Sequence, residues 1–536
     1  MVSRVKNWFE NHPRIRRAVF SVFIAIAVLF VALSIGKNNF LWVYAVAIAL
    51  FVWVFRPNSA LHTFTVEKIT IERLGVSILI TALTICICIA PMASLSLWNG
   101  EQPGHRNQYE LMAEAILDGR VDFAYGDEEE LLKLENPYDP NERKETGVKY
   151  HWDHAYYDGH YYMYFGIVPV FLVFLPYRVI TGESMTTYHA TQIFVALIIA
   201  GIFMLFYLLA KLFFKKLPFT VYLALSVAFS VASVWYSIAE PALYCTAITA
   251  AIALMVWSLY FFVKGVWGET RENIQLIYAA IGALLGALAF GCRPPIALAN
   301  ILVLPMLIVF LKQRKFSLKL LGKLVLVALP YVVVAAGLMY YNYIRFDDPF
   351  EFGQAYQLTT ADQHLYKITW DAPTIVRILN DSFKNFFSPG TITETFPYFK
   401  TSSVFFNFPM FLLCFAIFKK DVLAGMKKKS VLLFAIGIFL TPVIITAIDI
   451  MWTPYLLERY RMDIYFLIGI ACFLAIGFWY NSCSKNQRKV FSSVLMLLAL
   501  FTTISAFLLY VRTVGSYYPD KMTEIAKKLS LHLITK

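Results

Sequence analysis

Apolar and polar positions in this chain separate into long blocks rather than alternating. Apolar runs lie near residues 18–36, 40–55, 74–92, 187–210, 218–238, 242–263, 275–290, 295–311, 322–342, 404–418, 430–448, 462–480 and 490–510. At 1.5 Å per helical residue, runs of this length cross most or all of about 30 Å of hydrocarbon. Inside lipid every backbone N–H and C=O must be satisfied within the protein, which leaves helices or a closed barrel. Continuous runs without two-residue alternation select helices. The pattern predicts an all-α polytopic membrane protein with about thirteen spans in a single membrane domain, 1–536.

Composition agrees with this reading. Of the 536 residues, 59% are hydrophobic and 15% charged, where a water-soluble domain keeps roughly a quarter charged. The formal net charge is +12, but the Lys and Arg residues sit in short clusters between apolar blocks. That is membrane topology, not a nucleic-acid-binding face. If the basic N-terminus is cytoplasmic, the alternate loops should be basic. They are, from Lys211, Lys215 and Lys216 through Lys312, Arg314 and Lys315 to Lys427, Lys428 and Lys429. The first apolar block follows Arg14, Arg16 and Arg17 and reads as a retained signal anchor. The expected location is therefore a plasma membrane, multi-pass, with the large loops outside.

The outer face is composed differently. Residues 93–160 hold 15 of the 35 acidic residues against six Lys or Arg. This places a first outer loop with surface helices at 93–186, a second at 343–403 and a short one at 449–461. Within the first, the stretch around Pro169 and Pro176 is too short and broken to span, and reads as a helix lying along the surface. None of the seven cysteines falls in the two large loops, so no disulfide framework is implied.

The chemistry concentrates at Tyr150–Gly166, YHWDHAYYDGHYYMYFG. Asp153 and Asp158 can act as a general base toward an acceptor hydroxyl, with Asp158 favoured because the adjoining Gly159 would present it in a turn. His154, Tyr157, His160 and Tyr161 offer rings and polar edges suited to a sugar or acceptor. The plain alternative is an aromatic interfacial belt with solvated acids. A divalent metal is conceivable from the His and Asp residues, but their spacing fits no ligand pattern. The sequence requires no cofactor. Near the outer ends of spans lie Glu240, Arg293, Arg459 and Arg461, and the second loop carries Glu351 in RFDDPFEFGQAYQL. Arginine suits a phosphate because its planar fork donates two parallel hydrogen bonds, although residues at this depth also serve as plain anchors.

Three segments carry a family resemblance: RNQYELMAEAILDGR (106–120), the proline-bearing stretch at 164–200, and GALAFGCRPPIAL (286–298). With the order of spans, they resemble the GT-C superfamily of membrane glycosyltransferases, which includes protein O-mannosyltransferases and the lipid A aminoarabinose transferase. Tyr150–Gly166 and RFDDPFEFGQAYQL (345–358) are similar to a bacterial subgroup of GT-C-like proteins. The resemblance implies a GT-C-like bundle and transfer of a sugar from a polyprenyl-phosphate donor to a glycan, lipid or protein acceptor of the cell envelope. On that plan Arg293, Arg459 and Arg461 would meet the donor phosphate, while Glu240 and Glu351 join the sugar and acceptor candidates. Where the family usually carries an Asp-Glu pair, this chain has His105 and Arg106, which moves the base to Asp153 or Asp158. Two other classes stay open: a lipid or glycan transporter or flippase, which would be expected to break its spans at mid-membrane, and a non-catalytic GT-C-like scaffold.

Overall fold

The computed structural model describes residues 64–68, 70–92, 107–315, 317–365, 369–391, 402–452 and 456–517. The expected spans at 18–36 and 40–55, the anchor and the His105–Arg106 pair lie outside them. Among the described residues, ten helices are long and apolar enough to cross a membrane, the all-α multi-pass architecture that the apolar blocks require.

In chain order these ten begin with α1 (Ile71–Ile89). The first long loop then carries α2 (Gln108–Leu117), β1 (Asp122–Phe123), α3 (Pro140–Thr146), β2 (Ala155–Tyr157), β3 (His160–Tyr162) and α4 (Val170–Thr181). The spans resume with α5 (Thr187–Phe213), α6 (Phe219–Ala239), α7 (Leu243–Gly268), α8 (Glu272–Phe290), α9 (Pro294–Lys312) and α10 (Leu318–Phe346). The second long loop contributes α11 (Ala372–Phe387). After α12 (Lys420–Lys428) come the last spans, α13 (Leu432–Trp452), α14 (Glu458–Ser482) and α15 (Lys485–Tyr517).

Ten of the thirteen expected blocks are thus long helices. The block at 404–418 is not. It forms a single turn, Val404–Asn407, and a 3-10 helix, Pro409–Phe418. Pro409 has no N–H to continue the turn before it. Asn407 instead turns its side chain back onto Ser402, accepting from its N–H at 2.9 Å and donating to its C=O at 3.1 Å. Ten residues at about 2.0 Å each reach roughly 20 Å, short of the hydrocarbon thickness.

Burial divides the bundle. The apolar window of α14 is 94% buried and that of α7 89%, against 6% for α10 and 11% for α1. The well-buried helices carry a continuous core, with Phe206 of α5 stacked on Phe473 of α14 at 4.1 Å.

The first loop folds as a unit. An Asn107–Glu110 capping box starts α2, with Asn107 accepting from both Tyr109 and Glu110 and Glu110 accepting from the Asn107 N–H. Helix α4 has 12 residues, too few to span, and rests on α2 through the Tyr109–Phe174 stack at 5.1 Å and an Arg178–Glu114 pair at 2.7 Å. The three strands form an antiparallel sheet in the order β1–β3–β2. Between β2 and β3, Asp158 and Gly159 both have positive φ, 48° and 81°, the signature of the tight hairpin turn that Asp-Gly favours. The second loop adds itself to the free edge of β2. Tyr156 N–H donates to Tyr356 O at 2.9 Å, and Leu358 N–H to His154 O at 2.9 Å.

The first loop is also pinned to the bundle. Val168 N–H donates to Gly291 O at 3.0 Å. A Cβ on Gly166 would stand 2.3 Å from that carbonyl oxygen, so only glycine fits this approach.

Candidate active site

Asp153 lies where the two loops meet the bundle. Its φ of 58° is left-handed, a conformation that Asp tolerates better than most residues. The main chain is held on both sides, with its N–H donating to Leu358 O at 3.0 Å and its C=O accepting from Gln108 Nε2 at 3.0 Å. The side chain is buried. Oδ1 accepts from Gln357 Nε2 at 3.0 Å, and Oδ2 accepts from the hydroxyl of Tyr244, at the start of α7. Burial pushes the carboxyl above the usual carboxylate range. The Tyr244 hydrogen bond and the charge of Arg459 oppose that rise without cancelling it.

From Asp153 a continuous run of contacts leads into the spans. The Arg459 guanidinium covers the Tyr244 ring at 4.0 Å and lies 5.5 Å from the Tyr460 ring. Arg293, in the turn between α8 and α9, covers Tyr460 at 4.9 Å. Its Nε and its terminal nitrogen both reach Asp463 Oδ2 at 2.7 Å. Asp463 is fully buried near the start of α14, and Asp449, buried near the end of α13, lies within electrostatic reach of both. Asp153, Arg459 and Arg293 therefore belong to one polar cluster at the loop end of the bundle, buried at Asp153 and half-buried at the two arginines.

The remaining candidates are placed elsewhere. Asp158 is exposed at the hairpin turn. Arg461 donates from Nε to Asn385 Oδ1 on α11 at 2.8 Å. Glu240 caps α6, buried, within electrostatic reach of Cys245. Glu351 closes its own turn by accepting from Gly353 N–H at 2.6 Å. His160 is exposed and pairs with Asp122 at 3.1 Å, and Tyr157 donates to Asp347 at 3.5 Å.

His154 and Tyr161 are interior groups of the loop. Tyr161 packs edge-on against His151 at 4.9 Å and Tyr125 at 5.6 Å. His154 is buried, which lowers its imidazole pKa to about 3 and keeps the ring neutral. Its Nδ1 then donates to Trp152 O at 2.9 Å, leaving Nε2 to accept from Tyr125 OH at 2.8 Å. These rings pack on one another rather than forming an open platform.

Among the described residues, no group of three or more His, Cys, Asp or Glu side chains is arranged to hold a metal ion. Tyr244, Gln357 and Gln108 belong to the site but were not singled out from the sequence. Tyr244 had a usable signal, since it follows Glu240-Pro241 at a helix start, where side chains face the loops.

No protein-family model matches the chain, and no curated protein matches it in sequence. Two solved structures of the oligosaccharyltransferase of Archaeoglobus fulgidus are similar in shape. One, tethered to an acceptor peptide containing the NVT sequon through a disulfide bond, is 11% identical with a TM-score of 0.39, covering 85% of this chain and 59% of that one. The other, the archaeal oligosaccharyltransferase AglB in complex with an inhibitory peptide and a dolichol-phosphate, is 12% identical with a TM-score of 0.40, covering 86% and 60%. The chain thus spans about three fifths of the length of either structure.

Proposed function

We propose that this protein is a GT-C-type glycosyltransferase. It would move a sugar from a polyprenyl-phosphate-linked donor to an acceptor on the outer face of the plasma membrane, with Asp153 as the acceptor-activating base. The observation that carries the reading is a buried carboxylate one aromatic ring away from an arginine, at the junction of loops and spans. A base whose pKa is raised toward neutrality takes a proton more readily than an ordinary surface carboxylate.

In the proposed displacement, the acceptor hydroxyl gives its proton to Asp153 while its oxygen bonds to the anomeric carbon. The bond from that carbon to the donor phosphate oxygen breaks, and the phosphate leaves with the electron pair. Arg459 is the best placed of the three arginines to meet that phosphate. Arg293 is already committed to Asp463, and Arg461 to Asn385. Tyr244 would position both Asp153 and Arg459.

Transfer of labelled sugar from polyprenyl-phosphate donor, in membranes lacking the native protein, tests this. Asp153→Asn should lose about 10²–10⁴-fold, the usual contribution of a general base, while Asp158→Asn stays near the native rate. The opposite ranking, or retention by both, would reject Asp153.

A further inference from the structure

Helix α11 in the second loop has its apolar side turned outward. Val376, Leu379 and Phe383 are 63%, 66% and 64% exposed, and Phe387, one turn on, is also exposed. Spaced three and four residues apart, they form one stripe along the helix. The opposite side carries Thr374, Asp381, Ser382 and Asn385, and the residues of the helix buried against the protein are Asn385 and Phe386, near its C-terminal end. Asn385 is buried, accepting from Arg461 Nε at 2.8 Å and lying 3.5 Å from Thr446 Oγ1 of α13. A helix on a water-facing surface is arranged the other way, apolar side in. Nor can α11 be a span. It is 16 residues long and carries Arg377, Asp381 and Lys384.

What covers the stripe is indicated by its continuity with the bundle's outward surface. Phe383 stacks on Phe387 at 5.1 Å, and Phe387 meets Phe405 at 5.1 Å. Phe405 meets Phe415 at 5.5 Å, and Phe415 meets Phe439 of α13 at 5.4 Å. This aromatic seam runs from α11 onto the 3-10 helix Pro409–Phe418, whose Leu412, Phe415 and Phe418 are themselves exposed. Where helices are long and apolar enough to cross a membrane, as ten are among the described residues, their exposed apolar residues face acyl chains. Trp370, 72% exposed just before α11, is the amphipathic ring expected at a headgroup boundary. Lys384, exposed at the polar edge, has a stem long enough to keep its ammonium among headgroups while the stripe lies deeper.

We propose that α11 is an interfacial helix, lying in the leaflet at the loop end of the bundle with Val376, Leu379 and Phe383 buried among lipid acyl chains. Its polar side clamps the turn at 458–461 through Asn385 and Arg461, so the bilayer surface forms one wall of that region. The surface stands independently of any reaction at Asp153.

Spin-label accessibility tests the proposal on the full-length protein in bilayer discs of phosphatidylethanolamine and phosphatidylglycerol. Cys86 and Cys483, the cysteines not buried, are first replaced by serine. Nitroxides are then placed singly through Val376→Cys, Leu379→Cys and Phe383→Cys, with Glu129→Cys as the exposed loop control. Oxygen partitions into acyl chains, and a nickel chelate stays in water. The expected result is oxygen-dominated relaxation at 376, 379 and 383 and the reverse order at 129. Nickel-dominated relaxation at 379 and 383 would put the stripe in water and overturn the proposal. Exclusion of both reagents with an immobilised label would overturn it too, by showing that a second copy or another part of this chain covers the face. Should Phe383→Cys fail to fold, the labels at 376 and 379 read the same stripe.

Discussion

Asp153 and Asp158 sit five positions apart in one aromatic stretch, and both have a left-handed backbone, with φ of 58° and 48°. Their surroundings differ completely. Asp158 needs its φ because a two-residue hairpin turn requires it, and its carboxylate faces water. Asp153 is fixed by main-chain and side-chain bonds from Gln108, Gln357, Leu358 and Tyr244. An unusual φ therefore marks a turn in one case and a constrained polar group in the other. What separates them is whether distant parts of the chain converge on the residue.

The comparison breaks most severely at the far end of the cluster. Arg293→Ala leaves Asp463, fully buried, without its guanidinium. Removing one partner of a buried pair costs about 3–5 kcal/mol, so the thermal midpoint in detergent should fall sharply while Asp158→Asn, which the turn also tolerates, leaves it in place. An unchanged midpoint for Arg293→Ala would mean that the Arg293–Asp463 pair does not hold the far end of the cluster.

Tyr244→Phe removes the hydroxyl that donates to Asp153 Oδ2. The lost hydrogen bond to a carboxylate is worth about 1.5–3 kcal/mol. Because the hydroxyl favours the charged form, its loss raises the Asp153 pKa further. The base works deprotonated, so the acid limb of the transfer-rate profile should move to higher pH, with no matching move in Asp158→Asn. Stability has its own sign. A carboxyl raised in the folded state favours folding most at acid pH, and that contribution is lost as pH rises from the ordinary carboxylate value through the raised one. Asp153→Asn cannot charge and should show a flatter dependence of midpoint on pH over that window.

The smallest effect is expected at the turn. Asp158→Gly substitutes one turn-compatible residue for another at an exposed position, and the unfolding midpoint should correspond to a change within about 0.5 kcal/mol. A larger loss would give the Asp158 side chain a partner that the hairpin geometry does not require.

The spans were legible because lipid demands uninterrupted apolar runs, and a run can be read locally. The block at 404–418 misled because apolarity was counted without weighing Pro409 and the Asn407 side chain. In the loop, aromatic density around Asp158-Gly159 suggested an accessible ligand surface. The same letters, YYDGHYY, are a hairpin with Tyr156 and Tyr161 buried as cross-strand neighbours. Asp153, Arg293 and Arg459 stood out as charges at span boundaries. Their convergence did not, because it depends on Gln357, 204 positions along the chain from Asp153, and on a tyrosine whose one signal was its place at a helix start. The exposed stripe of α11 was written in APTIVRILNDSFKNFF at helical spacing, but which side faces the protein is settled only by tertiary contacts.

The distance along the chain between Asp153 and its partners has a consequence in time. Tyr244 lies 91 positions downstream and Gln357 lies 204. At about 5–20 residues per second of synthesis, the Asp153 side chain is made roughly 10–40 s before its Gln357 partner exists. Through that interval the Asp153 carboxylate has no Gln357 to accept from. The clamp on Asp153 is thus a late product of biogenesis, completed only as the second loop arrives to lie along β2. A ribosome stalled before residue 357 would hold a chain with most of its spans inserted and Asp153 still unclamped on that side.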